Sequence, residues 1–327
     1  MKFVKFFLLA VGFAILYWTV KSVGVGNIAS NIQACGPRLL PVLLVYPFIF
    51  AFDTVGWSFA FPEKLPKQIP FGSLYRIRIV GETLNAVIPF SASLGGEPIK
   101  TELLKQRHGV PLSEGYASIL IVHTTFWISL NIFVIGGILF TLKTLPLTPV
   151  LWTSVLAFLI GLGLVAILLI IGLHLGVFKK VHDLGTHLKW WVSNAQKEER
   201  FLLLDERIKQ FYTRNPKRFF LSTLFNFLGW FAGVFEVYFI GNILGMNIGF
   251  FEAWLLEALI QVLRIVTFFI PASVGVQEGG ILLIFEQFGF AHPASLTFAV
   301  IRRLREILWI GFGLTLWTLT EDRPKIK

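Results

Sequence analysis

The stretch Pro271-Ala-Ser-Val-Gly-Val-Gln-Glu-Gly-Gly280 lies in the middle of an apolar run that extends from residue 250 to residue 291. Proline removes a backbone donor and clashes with the preceding helical turn, and glycine gives the chain conformational freedom. A single straight helix therefore cannot continue through this stretch. A second apolar run, 71–110, is interrupted in the same way between Pro89 and Gly96. We interpret each run as a helical hairpin.

The sequence around the two hairpins has the composition of a membrane protein. Of its 327 residues, 55% are hydrophobic and 15% are charged, whereas soluble domains contain about 25% charged residues. Six more apolar runs are long enough to cross a bilayer core of about 30 Å as helices, namely 5–24, 39–60, 114–140, 149–176, 219–243 and 294–318. The sequence therefore predicts an all-α polytopic membrane protein with about six transmembrane helices and two re-entrant helical hairpins.

Basic residues predict the orientation of these helices. The chain has 29 Lys and Arg residues against 19 Asp and Glu residues, a net charge of +10. With a cytoplasmic N-terminus, most of the basic residues fall in cytoplasmic loops and tails, as the positive-inside rule requires. We expect the first apolar run to be a retained helix, because no small-residue cleavage site follows it. Both termini are then cytoplasmic, and the positive charge requires no nucleic acid partner.

The two hairpins occupy equivalent positions in an internal repeat. An offset of 182 residues, the difference between 271 and 89, aligns Pro89 with Pro271 and Trp127 with Trp309 without a gap. In the predicted topology the two halves begin on opposite sides of the membrane and form an inverted repeat, an architecture typical of alternating-access transporters. We expect a single integral membrane domain, 1–327, with repeat 1 at about 5–140, repeat 2 at about 149–318 and a helical cytoplasmic linker at 177–217.

Charged and amide side chains at membrane depth are costly and usually functional. Several of them lie at helical spacings of three or four, so that acids and bases share a helix face. The candidate substrate-binding and translocation residues are Glu82, Asn85, Glu97, Glu257, Gln261, Arg264, Gln277, Glu278, Arg302, Arg303, Arg305 and Glu306. The hairpin breaks are Pro89, Gly95, Gly96, Pro271, Gly275, Gly279 and Gly280. The alternative is a set of buried ion pairs that only fix helix packing, although such pairs often add little stability.

The tip of the second hairpin suits an anion. Its glycines permit close backbone approach, and the helix that begins after them presents free amides and the positive end of a dipole. We expect a phosphate headgroup there, with Arg302, Arg303 or Arg305 as its counter-charge. Glu278 opposes that anion when ionised, so it is either salt-bridged to one of these arginines or takes up a proton. The sequence leaves both alternatives open.

Four further ionisable residues lie within or beside the predicted spans, and of these Asp53 has no obvious local partner. His123 takes the repeat position of Arg305, and we favour a histidine that is hydrogen-bonded between helices over a proton relay. Asp53 is expected to cap or to pair with another helix. Arg76 and Arg78 are interpreted equally well as site residues or as anchors on the cytoplasmic side.

Several other kinds of site are disfavoured by the sequence. Residues 95–101 lack the spacing of a phosphate-binding loop and follow no predicted strand. The histidines show no metal-ligand spacing, and no nucleophile motif for acyl transfer is present. Cys35 is the single cysteine, which excludes an internal disulfide. We expect no catalytic residue, no cofactor and no metal.

At the two hairpins the sequence resembles the flippase-like membrane domains best known as the transmembrane region of lysylphosphatidylglycerol synthases. The residues that carry the resemblance are Gly81-Glu82-Thr83-Leu84-Asn85 with Pro89, Gly95-Gly96-Glu97, and Pro271 with Gly275-Val276-Gln277-Glu278-Gly279-Gly280. The Val-Gln-Glu-Gly-Gly run and Arg302-Arg303-Leu304-Arg305-Glu306 are similar to the branch associated with hopanoid biosynthesis. The resemblance covers nearly the whole chain and implies a lipid substrate. Because no aminoacyl-transferase segment follows the last apolar run, we expect lipid movement rather than lysyl transfer.

The hairpin residues and this resemblance together predict a flippase. We expect it to move a lipid or a polar lipid precursor, related to hopanoids or phospholipids, between the leaflets of the bacterial inner membrane. Its expected partners are that membrane lipid and lipid-biosynthesis enzymes, with no nucleic acid. One alternative is a membrane-embedded enzyme that modifies a lipid headgroup, with Glu278 or Glu257 as general base. Another is a subunit or scaffold of a lipid-biosynthesis complex that depends on the linker 177–217.

Overall fold

A computed structural model of the chain describes residues 33–61, 69–87, 95–141, 195–267 and 275–319, with isolated positions at 26, 30 and between 153 and 187. All regular secondary structure in these ranges is helical. The helices are α1 (Leu40–Phe59), α2 (Phe71–Val87), α3 (Glu97–His108), α4 (Leu112–Thr141), α5 (Ala195–Arg214), α6 (Pro216–Ile243), α7 (Phe250–Val266), α8 (Val276–Gln287) and α9 (His292–Leu319). A 3-10 turn, Gly36–Leu39, leads into α1.

The predicted apolar runs that fall within the described residues form helices. The runs 114–140, 219–243 and 294–318 lie inside α4, α6 and α9, each of which begins slightly earlier than predicted. The earlier start of α6 has a local reason, because Pro216 is pre-organised for the first turn of a helix, where its missing N–H is not needed. The predicted span 5–24 and nearly all of the span 149–176 lie outside the described residues.

The described helices are those of a membrane protein. Within the described ranges, three segments are long and apolar enough to cross a bilayer, namely Gln33–Phe59, Leu112–Phe140 and Pro216–Ile243. α9 has 28 residues but carries four charges near its middle. Large apolar side chains are exposed on α1, α4 and α9, including Leu44, Phe48, Ile135, Leu139, Ile307, Leu308 and Phe312. Apolar faces of this extent are unfavourable in water and suit contact with lipid.

A helix lies on each side of both predicted hairpin breaks. α2 and α3 flank residues 88–94, and α7 and α8 flank residues 268–274. The two helices of each pair pack against each other. Pro89 and Pro271 fall within the flanked segments, outside the described residues.

Two glycines bring α2 and α3 into backbone contact. A Cβ atom on Gly96 would overlap the backbone carbonyl oxygen of Gly81. Helices approach this closely only where side chains are absent from both surfaces. The sequence feature that appeared to mark only a break in the chain therefore also sets the distance between the two helices.

The first four helices and the last four pack in the same order. α1 contacts α2, α2 contacts α3 and α3 contacts α4, and the same succession of contacts recurs from α6 to α9. Between the two groups, α1 lies along α6, α2 packs against α9 and α4 packs against α7. If α1–α4 are matched in order with α6–α9, α2 corresponds to α7 and α4 corresponds to α9. The contact between α2 and α9 then corresponds to the contact between α7 and α4. α6 also packs against α4 and so contacts helices of both groups.

Two apolar clusters fill the interior. One surrounds Phe133 and Trp254, and the Trp254 indole donates a hydrogen bond to the Phe133 carbonyl at 3.0 Å. The other surrounds Trp57, whose indole donates to Ser118 Oγ at 3.1 Å. The indole N–H groups of Trp57 and Trp254 thus each have an acceptor, which removes the cost of leaving them unpaired.

α5 lies within the segment 177–217, which the sequence predicts to be a linker. It is amphipathic, and Ile208 and Phe211 on its apolar face are fully buried in the cluster around Trp57. Burial beside this face raises the pKa of Tyr212 to about 12. α5 is therefore packed against the membrane domain, mainly on α4, and is not a freely solvated connection.

Candidate functional site

Ionisable and amide residues of the first four helices form one connected group, which we call the first cluster. Asp53 lies on α1, Arg78, Glu82 and Asn85 on α2, Glu97 and Lys100 on α3, and His123 on α4. The first cluster therefore draws on every helix of the first half.

Lys100 joins the two helices of the first pair. Its Nζ lies 2.7 Å from Glu82 Oε1 and 2.9 Å from Glu97 Oε1, and its side chain is 1% exposed. The methylene stem crosses α2 at Gly81, where a Cβ atom would overlap the stem. A glycine at this position is thus what allows a buried lysine to reach one carboxylate from each helix.

Arg78 extends the first cluster to α1. Its Nη2 lies 3.4 Å from Asp53 Oδ2, and its Nε lies 3.4 Å from Glu82 Oε1. Arg78 and Asp53 are both buried. The aspartate that lacks a local partner in the sequence is therefore paired with a cation of the next helix, as a buried charge requires.

Asn85 fixes the start of α3. Its Oδ1 accepts a hydrogen bond from the Gly96 amide at 2.6 Å, and its Nδ2 donates to Glu97 Oε1 at 3.1 Å. The amide side chain thus satisfies a backbone donor at the helix N-terminus, where four N–H groups have no intrahelical acceptor.

A second group of charged residues lies on the last four helices, and we call it the second cluster. Glu236 lies on α6, Glu257, Gln261 and Arg264 on α7, Glu278 on α8, and Arg302, Arg303, Arg305 and Glu306 on α9. Each of its four carboxylates contacts at least one arginine, and four arginines are present, so the ionised cluster is neutral.

Arg302 lies at the centre of the second cluster. Its Nη1 donates to Glu257 Oε2 at 2.7 Å and its Nη2 to Glu257 Oε1 at 3.3 Å, and Nη2 also lies 3.3 Å from Glu236 Oε2. Gln261 donates to Glu257 Oε1 at 2.5 Å. The Arg302, Glu236 and Glu257 side chains are each 2% exposed or less. This bidentate pairing is the geometry in which a buried guanidinium is best compensated.

Glu278 lies in the first turn of α8, where we expect a phosphate headgroup from the sequence. Its Oε2 accepts a hydrogen bond from the Gly275 amide at 2.7 Å, and its Oε1 lies 2.6 Å from Arg303 Nε. Gly275 has a φ of 77°, a conformation that favours glycine at this N-cap. Of the two alternatives left by the sequence, the structure has the salt bridge to an arginine. The negative charge at the start of α8 is thus the protein's own.

Arg305 is enclosed by the protein. Its Nη2 forms an ion pair with Glu236 Oε1 at 2.9 Å, and its guanidinium lies 3.7 Å from the centre of the Tyr46 ring, which stacks on Trp309. The Arg305 side chain is 1% exposed. This residue holds α9 against α1 and α6, and it does not reach an accessible surface.

A glycine surface of α6 lies beside both clusters. A Cβ atom on Gly229 would lie 2.7 Å from Asp53 Oδ1, and one on Gly233 would lie 3.1 Å from Glu257 Oε1. The two glycines are four residues apart, so they lie on the same face of the helix, one turn apart. The carboxylates of Asp53 and Glu257 therefore both rest on this face of α6.

Each cluster is buried at its centre and open at one edge. In the first cluster the Glu82 and His123 side chains are 33% and 34% exposed. In the second cluster the open edge is cationic, with Arg264 41% exposed and Arg303 22% exposed. Arg264 is held loosely, at 3.8 Å from Glu306 Oε1, while Arg303 Nη1 lies 2.9 Å from Glu306 Oε2.

The structure brings most of the candidate residues together. Glu82, Asn85 and Glu97 are in the first cluster, and eight others are in the second: Glu257, Gln261, Arg264, Glu278, Arg302, Arg303, Arg305 and Glu306. Gln277 is buried next to Glu278, with no contact established to either cluster. Among the break residues, Gly95, Gly96 and Gly275 lie directly before the starts of α3 and α8. Gly279 and Gly280 lie inside α8, which continues through them, so they do not interrupt the chain.

Sequence reasoning missed three contributors. Glu236 was overlooked, although an acid within an apolar run is the same signal that identified Asp53. Lys100 was considered only as part of a loop motif, whereas it is the central cation of the first cluster. Tyr46 has no sequence signal, because its role depends on α1 lying beside α9.

The fold and the two clusters define a polytopic helical membrane protein with ion-pair clusters inside its helix bundle. The chain belongs to the lysylphosphatidylglycerol synthase TM region family, because the model of that family matches residues 6–313. The predicted family membership is thereby confirmed, while the match selects no branch within the family. No curated protein and no solved structure matches the chain.

Proposed function

We propose that this protein translocates a lipid, or a polar lipid precursor related to phospholipids or hopanoids, between the leaflets of a bacterial inner membrane. The observation that carries the proposal is the pair of charged clusters, buried on broken helix pairs and each open at one edge. Membership of a lipid-related membrane family supports it. Charges inside a membrane domain commonly mark a substrate or ion pathway.

The proposed architecture is an inverted repeat in one membrane domain, with about six spanning helices, two re-entrant hairpins and both termini in the cytoplasm. The exchanged contacts of α2 with α9 and of α4 with α7 support it, since they are the contacts that a two-fold relation between the halves interconverts. In such transporters the substrate site lies at the interface of the repeats near the bilayer midplane. α6 and its glycine surface lie at this interface.

In the proposed mechanism the headgroup enters between the open edges of the clusters while the tail stays in lipid. An anionic headgroup is attracted by Arg264 and Arg303, which are the exposed cations of the second cluster. To bind Arg303, the headgroup must displace the carboxylate of Glu278. The headgroup is released when Glu278 pairs with Arg303 again. The buried pairs around Arg302 and Arg305 hold the helices on which this exchange takes place. A concentration gradient, an ion gradient or a partner supplies the driving force.

The family takes its name from lysylphosphatidylglycerol synthases. The alternative proposal is therefore a headgroup-modifying enzyme or a subunit of a lipid-biosynthesis complex. A general base needs a carboxylate that can approach its substrate. Glu257 is held by both guanidinium nitrogens of Arg302, and Glu278 is held by Arg303 and the Gly275 amide. These contacts favour translocation over base catalysis.

The substitution Glu278→Gln tests the proposed exchange. Glutamine keeps an oxygen for the Gly275 amide but removes the charge that competes for Arg303. We expect fluorescent phosphatidylglycerol to bind more tightly and to cross the bilayer at least about tenfold more slowly, in line with loss of a charged hydrogen bond. The measurement is protection of the lipid from an impermeant reductant in liposomes of phosphatidylethanolamine and phosphatidylglycerol.

Glu286→Gln is the matched control for this experiment. Glu286 lies on the same helix and pairs with His292 instead of a cluster arginine. Its exchange rate should equal that of the wild type. Equal rates for wild type and Glu278→Gln would contradict the site. A deletion strain with chemically altered lipids, together with no leaflet exchange by the pure protein, would favour the enzyme.

A further inference from the structure

The two clusters differ in their balance of charge. The second cluster contains four carboxylates and four arginines. The first contains the carboxylates of Asp53, Glu82 and Glu97 but only two permanent cations, Arg78 and Lys100. Fully ionised and with a neutral histidine, it carries one uncompensated negative charge. An uncompensated charge inside a protein is costly and is relieved by taking up a counter-charge or a proton.

His123 is the titratable group placed to supply that proton. Its Nε2 lies 3.5 Å from Glu97 Oε1, which also receives Lys100 Nζ at 2.9 Å and Asn85 Nδ2 at 3.1 Å. Histidine is the residue type whose ordinary pKa places its change of charge between pH 5 and 8. His123 is also at the open edge, so a proton can reach it without crossing the buried ion pairs.

Within the described part of the chain, the groups around His123 agree with its assignment as the proton-binding residue. The charged groups are Glu97 and Lys100 on α3, Glu82 and Arg78 on α2, and Asp53 on α1. Beside His123 on α4, Thr124 interacts with Tyr212 of α5, and Thr125 interacts with Ser222 and Asn226 of α6. α7 packs on α4 through Trp254, which contacts Phe133, Gly136 and Gly137. Arg76 and Arg107 line a small pocket between α2 and α3 together with Ile77, Val80 and Leu103.

We propose that the contact between His123 and Glu97 is a proton-binding site that switches the first cluster between a net charge of −1 and neutrality. The equivalent position in the second half is Arg305, an arginine that stays charged at every physiological pH. The first half thus has a histidine where the second half has a permanent cation. Use of this proton to drive or gate lipid movement rests on the function proposed above.

The proposal predicts opposite effects for two substitutions. A neutral first cluster repels an anionic headgroup less than a cluster with a charge of −1. Wild-type exchange should therefore be at least about fivefold faster at pH 5.5 than at pH 7.5, because histidine typically loses its proton over this range. His123→Gln fixes the cluster at −1 and should be slow at both pH values. Glu97→Gln removes the excess charge and should be fast at pH 7.5. The double variant should regain fast, pH-independent exchange.

His292→Gln is the control, because His292 also contacts a carboxylate, Glu286, but lies outside the cluster. It should keep the wild-type pH dependence. If His123→Gln keeps that dependence too, the proton site is wrong while translocation stands. Wild type that moves no lipid at any pH contradicts the proposed function instead.

A second readout does not depend on transport. In protein with isotope-labelled histidine, the imidazole resonance of His123 is identified by its absence in His123→Gln. We expect this resonance to change with pH and its response to pH to differ in Glu97→Gln. The proposal is overturned if this resonance shows neutral histidine at every pH, or if Glu97→Gln leaves its response to pH unchanged. Both outcomes can be read whether or not the folded variants move lipid.

Discussion

Replacing Arg302 by alanine is expected to lower the free energy of unfolding by about 3–5 kcal/mol, the usual cost of removing one partner of a buried ion pair. The substitution leaves Glu257 without a cation and Glu236 with Arg305 alone. Both carboxylates are almost fully buried, so water cannot replace the guanidinium. The expected result is a lower midpoint of thermal unfolding in detergent and little protein in the membrane.

The double variant Arg302→Met/Glu257→Leu separates packing from function. Apolar residues of similar volume can replace a buried ion pair at little cost or with a gain in stability. We expect this variant to recover most of the lost stability and lipid exchange with it, because the Arg302 pair holds the helices on which the exchange at Arg303 takes place. A stable double variant without lipid exchange would mean that the Arg302 pair also takes part in moving the headgroup.

Gly96→Ala is expected to separate α2 from α3 and to abolish lipid exchange. The added methyl group would overlap the Gly81 carbonyl oxygen, which belongs to the backbone and cannot move independently of its helix. The cost of such overpacking is about 1–3 kcal/mol and sometimes more. Unfolding of the purified variant in denaturant measures it, and the liposome assay measures the loss of exchange.

Gly72→Ala provides the comparison for Gly96→Ala. Gly72 is on α2 and has nothing within 4 Å of the position of an added Cβ atom. Because alanine favours a helix over glycine by about 1 kcal/mol, this variant should be as stable as the wild type or slightly more so. An equal loss of stability in both variants would contradict the close approach of α2 and α3.

The sequence predicts the helices well, because their ends depend on local chemistry. Proline and glycine interrupt the two apolar runs, and α3 and α8 start directly after Gly96 and Gly275. Contacts within one helix are equally local. The hydrogen bond from Gln261 to Glu257 follows from a spacing of four residues and needs no knowledge of tertiary structure.

Contacts between helices could not be predicted in this way. Arg302 pairs with Glu257, 45 residues away, and Arg78 with Asp53, 25 residues away. Which acid meets which base depends on how the helices are rotated and where they cross, and no spacing along the chain encodes that. The sequence could identify the charged residues but could not tell that Arg305 is enclosed by Tyr46 and Glu236.

The glycine surface of α6 has a mechanical consequence. Each of two carboxylates rests on bare backbone, Asp53 at Gly229 and Glu257 at Gly233, one turn of 5.4 Å apart. Sliding α6 by that one turn would return a glycine to one of these carboxylates but would place the side chain of Phe225 or Val237 against the other. The two glycines therefore leave room for both carboxylates in a single register of α6 between the two halves of the molecule.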